Sequence, residues 1–174
     1  MTQPRCGDLP AALALAVMKL LALSDVHVEH AVNRQALEAL APHPEDWLIL
    51  AGDVSDSLRG LSWALDTLVP KFARVLWVPG NHELWVERDG PNTERGVARY
   101  QALVAACRAR GVATPEDPYL EWPLRVDVRR VRIALLFLLY DYTFAPAEHR
   151  GQARALAWAA EEGILAVDEV RLLP

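Results

Sequence analysis

Trp47-Leu48-Ile49-Leu50-Ala51-Gly52-Asp53-Val54-Ser55-Asp56 is an apolar run that breaks off at a Gly-Asp pair. Four apolar residues in succession, followed at once by polar ones, form the pattern of a short strand buried on both faces. The pattern recurs on either side. Residues 19–23 run into Ser24-Asp25-Val26-His27, and residues 75–78 run into Pro79-Gly80-Asn81-His82-Glu83. Between these runs, residues 33–40 and 58–69 carry apolar side chains at three- and four-residue spacing, and Pro42 and Pro70 close them. Strand, helix, strand, helix, strand predicts an α/β domain.

Asp25 and Asp53 stand 28 residues apart, as do Asp53 and Asn81, close to the length of one βαβ unit of about 30 residues. Right-handed crossovers return each strand in the same direction, so equal spacing brings all three clusters to the carboxyl edge of one sheet, where open parallel sheets bind ligands. Asp25 and His27, two apart in extended chain, are expected to point the same way and grip one ion together. Mixed oxygen and imidazole donors suit manganese, iron or zinc. Gly52 and Gly80 let the backbone turn sharply and approach a ligand closely. Taken singly, Asp-x-His equally describes a turn-forming Asp beside an exposed His, and Gly-Asp a turn or a helix cap. Their conjunction, in this order and at this spacing, points to a metal site.

Asp25-x-His27, Gly52-Asp53-x-x-Asp56 and Gly80-Asn81-His82-Glu83 resemble the first three signature blocks of the calcineurin-like metallophosphoesterases, over about residues 18 to 85. The resemblance implies a metallophosphoesterase-type sandwich, of which this chain supplies mainly the first βαβαβ half and part of the second sheet region. It implies two divalent metal ions, with Asp25 and His27 holding the first, Asp53 bridging both and Asn81 holding the second. His82 would face the substrate phosphate as the catalytic group. Asp56 would take a structural role such as capping, and Glu83 would orient its neighbourhood. The implied activity is hydrolysis of a phosphorylated small molecule or a phosphodiester.

The family's full pattern has two further histidine blocks. Of the five histidines here, only His149 lies downstream of the third motif, in a Pro-containing approach to a helix that reads as solvated. His30 reads as exposed loop and His43, between two prolines, as surface. The expectation is therefore a single, truncated or frameshifted domain over residues 18–174 that binds divalent metal weakly and has low or no activity alone. A non-catalytic metal-binding or protein-binding scaffold derived from the same fold is the alternative, and stoichiometric metal content separates the two. A nucleotide-binding domain is excluded by the lack of GxGxxG and GxxxxGK[ST] motifs.

With 174 residues, 52% hydrophobic and 24% charged, the chain has the composition of one globular domain. Net charge −5 argues against general binding to nucleic acid or anionic membrane, so bound ions must supply the field that holds a phosphate. Cys6 and Cys107 are far apart and form no CxxC pair, which makes a reducing cytoplasm the simplest setting. Residues 1–17, with an apolar run preceded only by Arg5, read as an extension or misassigned start, Met18 being the natural one; no run reaches the roughly 18 to 20 residues of a membrane span. Downstream, the sequence predicts a helix over 93–110 capped by Thr93 and ended by Gly111. It also predicts strands at 119–122, 124–128 and 131–140, the last two a hairpin around Arg129-Arg130, and a helix over 152–162. Arg125, Arg129, Arg130 and Arg132 read as a solvated face, and the polar loop 86–92 is the candidate specificity element.

Overall fold

The computed structural model describes residues 18–86, 94–139, 141–164 and 167–172. Its centre is a parallel sheet of β1 (Leu20–Leu23), β2 (His43–Ala51) and β3 (Phe72–Val78), in that spatial order. Leu23 pairs with Leu50, and Leu50 with Trp77, so the three strands end level at the same edge. The ladder is irregular between His43 and Trp47, where Pro44 has no N–H to give. Helices α1 (Ala31–Ala39), α2 (Leu58–Leu68) and α3 (Gly96–Arg108) follow the three strands in turn. Ser57 caps α2, its hydroxyl accepting from Gly60 N at 3.0 Å. After α3 the chain turns at Gly111, φ +71°, and Ala113 adds a single parallel bridge to Leu76 beyond β3.

Alternation along the strands divides the interior into two. Leu48, Leu50, Val75 and Trp77 face the helices and pack with Leu61, Leu65, Leu68, Leu103 and Cys107. Trp47, Ile49, Leu76 and Val78 face the other way, against Trp122, Leu135 and the short antiparallel pair β4 (Leu120–Glu121) and β5 (Arg132–Ile133). Trp47 and Trp122 meet edge to face with centroids 5.1 Å apart. Cys107 is fully buried, and burial pushes its thiol up to about 12. The α/β class and a sandwich of helices, parallel sheet and second sheet region follow as expected. Two further helices, α4 (Gln152–Glu161) and α5 (Asp168–Arg171), complete the described chain, and none is long and apolar enough to cross a membrane.

Three expectations need correction. Residues 124–128 form no strand: Val126 and Arg129 exchange both backbone hydrogen bonds across a two-residue turn, with Asp127 and Val128 at φ +48° and +63°, so the reversal comes earlier than the arginine pair suggests. The strand expected over 131–140 shrinks to two residues, because 134–139 find no pairing strand among the described residues. His43 is not loose surface; it opens β2, stacks on Phe72 at 5.4 Å and meets Asp46 Oδ2 at 3.1 Å. The readings made for residues 1–17, Cys6, the loop at 87–92, the Thr93 cap and Tyr140 lie outside the described residues. Helix α3 instead begins after Arg95.

Leu50 has no exposed surface. Leu50→Ala is expected to lower stability by about 2–5 kcal/mol, read as a lower urea midpoint at unchanged slope. Val32→Ala, at a position 69% exposed, should stay within about 0.5 kcal/mol.

Candidate metal centre

Beyond the ends of β1 and β2 the two chains stay paired: Asp25 N donates to Gly52 O at 3.2 Å, His27 N to Asp53 O at 3.0 Å and Val28 N to Val54 O at 3.0 Å. Within this pairing Asp25, His27 and Asp53 all adopt left-handed backbone, at φ +53°, +43° and +54°. The Asp25-x-His27 segment is thus not the extended dipeptide the sequence suggests. Non-glycine residues in this region each cost on the order of 1–3 kcal/mol, and such outliers collect where a site needs side chains aimed against backbone preference. The loops are held from the helix layer as well. Asn33 Nδ2 donates to Val26 O at 2.7 Å and Arg34 Nε to Val28 O at 2.5 Å. Glu29 Oε1 accepts from Ser55 Oγ at 2.5 Å and Asp56 N at 3.1 Å.

The third loop closes onto the second. Asp53 Oδ1 accepts the His82 N–H at 3.1 Å. A Cβ on Gly80 would lie 2.1 Å from Asp53 Oδ1, and one on Gly52 would lie 2.8 Å from Gly80 N; Gly52 also sits at φ +84°. Both glycines are therefore required by close approach, here of one loop to the other and to the Asp53 carboxylate. Beneath them lies Glu83, wholly buried, whose carboxylate accepts from Asp53 N at 3.0 Å, Val54 N at 2.6 Å and Gly80 N at 2.8 Å. Burial pushes its carboxyl up from the usual range, and these N–H donors oppose the shift. Arg99 of α3, 2% exposed, donates Nε to Glu83 O and Nη2 to Asp56 O, both at 2.7 Å. Burial lowers its pKa while Glu94, Glu83 and Asp56 act against that.

His27, Asp53 and His82 converge, one ligand atom of each within 4.8 Å of the others. A second grouping joins His27 to Glu29 and Asp56. The His27 and His82 rings meet edge-on with centroids 4.6 Å apart, and His82 lies over Trp85 at 3.5 Å. Asp25 stands at the same edge, exposed and outside both groupings. Asn81 also stands there, its Nδ2 donating to Asp168 Oδ1 at 2.8 Å. Asp56 is not the helix cap, a role Ser57 fills; its Oδ1 lies 2.8 Å from His82 Nδ1. His149 stacks on Trp158 at 4.7 Å, and His30 occupies the N-cap position of α1; neither belongs to a grouping of potential ligands among the described residues. Arg125, Arg129, Arg130 and Arg132 are all exposed.

The residues present fit a divalent cation. Imidazole and carboxylate donors converge on a cradle that any side chain at position 80 would fill. Sequence reasoning missed three contributors: Asp56 as the partner of His82, Arg99 and Asp168. The Gly-Asp-x-x-Asp spacing held a signal for the first. Nothing local signals the third, which lies 87 residues from Asn81.

The sequence matches the calcineurin-like phosphoesterase family over residues 18–129, and the chain belongs to that family. It is similar to the [acyl-carrier-protein] phosphodiesterase PptH of Mycobacterium tuberculosis, at 44% identity over 156 residues that cover 89% of this chain and 48% of that protein. The crystal structure of phosphopantetheinyl hydrolase (PptH) from Mycobacterium tuberculosis superposes with a TM-score of 0.82 at 43% identity, covering 90% of this chain and 56% of that one. The chain thus spans about half the length of the curated relative it matches.

Glu83→Ala strips an acceptor from three backbone N–H groups, and each buried donor left unpaired costs about 1–3 kcal/mol. A loss of about 3 kcal/mol or more in urea unfolding is expected. Gly80→Ala should displace the Asp53 carboxylate and abolish Mn²⁺ binding by calorimetry.

Proposed function

We propose that this chain is a metal-dependent phosphodiesterase domain whose substrate is the phosphodiester joining a phosphopantetheinyl group to an acyl carrier protein. The observation that carries the reading is the convergence of His27, Asp53 and His82 at the sheet edge, with His82 backed by Asp56. The names of the PptH relative and its solved structure supply the substrate class.

Asp25, His27, Asp53 and Asn81 are the residues assigned to two divalent ions, manganese, iron or zinc, which when bound would supply positive charge against the phosphoryl oxygens and lower the pKa of bound water. The rest is the work of side chains. Asp56 holds His82 at Nδ1 and Trp85 supports the ring face, so that Nε2 faces the phosphate. Protonated, with its Nδ1–H bound by the Asp56 carboxylate, His82 donates Nε2–H to a phosphate oxygen or passes that proton to the departing ester oxygen. Asp53, tied to the backbone of His82, keeps ligand and catalytic group in register. Among the described residues no histidine beyond His27 and His82 joins the cluster. A second ion would therefore rest on fewer imidazoles than the family resemblance implies, and slow turnover by this chain is the expectation.

The test is Mn²⁺-dependent hydrolysis of a phosphopantetheinylated carrier protein and of bis(p-nitrophenyl) phosphate, with p-nitrophenyl phosphate as the monoester comparison. Slow hydrolysis of the diesters, removed by a chelator and restored by Mn²⁺, is expected. His82→Ala should lower kcat by about 100- to 10,000-fold, and Asp53→Asn should abolish metal dependence. Rates unchanged in both variants would overturn the assignment. Asp56→Ala should lower kcat with little change in KM, because the ring loses its orienting acceptor.

A further inference from the structure

We propose that Asp168, outside the span that matches the family, is a positioning residue of the metal centre: it fixes the Asn81 side chain in its ligand orientation and anchors the platform on which His82 rests. The inference rests on the reading of Asn81 as a metal ligand.

A side-chain amide has two ends of nearly equal shape and opposite character. Rotated by half a turn, Asn81 would present N–H donors to a cation instead of its oxygen, and shape alone does little to prevent it. An acceptor-only partner does. Asp168 Oδ1 takes the Asn81 Nδ2 hydrogen at 2.8 Å, which places the amide oxygen on the opposite side of the planar group. The same Oδ1 accepts from Trp85 Nε1 at 2.5 Å, and Trp85 carries the His82 ring on its face, 3.5 Å between centroids. One carboxylate oxygen therefore sets the orientation of a proposed ligand and, through one indole, of the catalytic imidazole.

The carboxylate is itself held in place. Asp168 is 7% exposed, and a carboxylate so buried is tolerated only when donors surround it. It belongs to α5, which docks along the segment after Asn81 by two further contacts: Arg171 O accepts from Val86 N at 3.0 Å, and the Arg171 guanidinium lies 5.8 Å from the Trp85 ring centroid. A short helix fastened in this way carries the carboxylate to the site as a rigid attachment. Partners of this kind around metal ligands typically govern affinity by about 10- to 100-fold.

The experiment compares the parent chain with Asn81→Ala, Asp168→Asn and Asp168→Leu, with Asp168→Ser as the replacement if the leucine variant does not fold. Two readouts are taken: Mn²⁺ affinity by calorimetry, and the Trp85 indole N–H resonance in metal-free protein, assigned with Trp85→Phe. Asp168→Leu is expected to weaken the Asn81-dependent part of Mn²⁺ binding about 10- to 100-fold and to shift the Trp85 resonance. Asp168→Asn, whose amide oxygen still accepts, should stay within about threefold. Unchanged Mn²⁺ binding in Asp168→Leu or Asp168→Ser, while Asn81→Ala loses it, would overturn the positioning role alone. An unmoved Trp85 resonance would do the same. Unchanged binding in Asn81→Ala would overturn the ligand reading, and the positioning role with it.

Discussion

Everything at the carboxyl edge of the sheet depends on the burial of one carboxylate. Glu83 has no contact with solvent, and its oxygens are taken up by the backbone N–H groups of Asp53, Val54 and Gly80. Those donors belong to two different loops, both leaving strands, whose N–H groups have no ladder partner left. The carboxylate thus replaces the sheet where the sheet stops. Its charge is balanced at a distance: Arg99 is equally buried but spends its hydrogen bonds on the carbonyls of Glu83 and Asp56. Opposite charges lie close with no direct ion pair, each satisfied by main chain. This arrangement connects α3, through Arg99, to the loops that hold Asp53 and His82, so helix packing and site geometry are one structure.

His82 shows how far such positioning goes. Its backbone N–H is bound by Asp53, its Nδ1 by Asp56, one ring face by Trp85, and its edge abuts His27. Few rotamers survive four such neighbours. Preorganisation of this kind lets a side chain act without reorganising at the moment of reaction.

The strands were legible because their apolar runs are unbroken and their polar ends recur at equal intervals, and the convergence of Asp25, His27, Asp53, Asn81 and His82 on one edge followed from crossover handedness alone. The backbone there was not legible. Asp and His visit left-handed φ more often than most residues yet do so at a small minority of positions, so nothing in Ser24-Asp25-Val26-His27 announces that two of its residues adopt it. The family resemblance gives Asp56 a structural role such as capping; Ser57, one residue closer to the helix, holds that position. Arg99 and Asp168 act across 43 and 87 residues, distances at which a single sequence carries no pairing signal. In the second sheet region, 124–128 alternate like a strand, but the turn at Asp127-Val128 interrupts them.

The contact of Gly52 with Gly80 also bears on how such a protein diversifies. With the backbones of two loops touching and the Asp53 carboxylate filling the remaining gap, the middle of the edge has no room for a new side chain of any kind. Variation in what the domain recognises is thereby confined to segments that cross in front of the edge or arrive from elsewhere in the chain, as α5 does. A lineage built on this scaffold would hold its centre constant and change its selectivity at the margin, by exchanging peripheral segments and leaving the loops beneath them as they are.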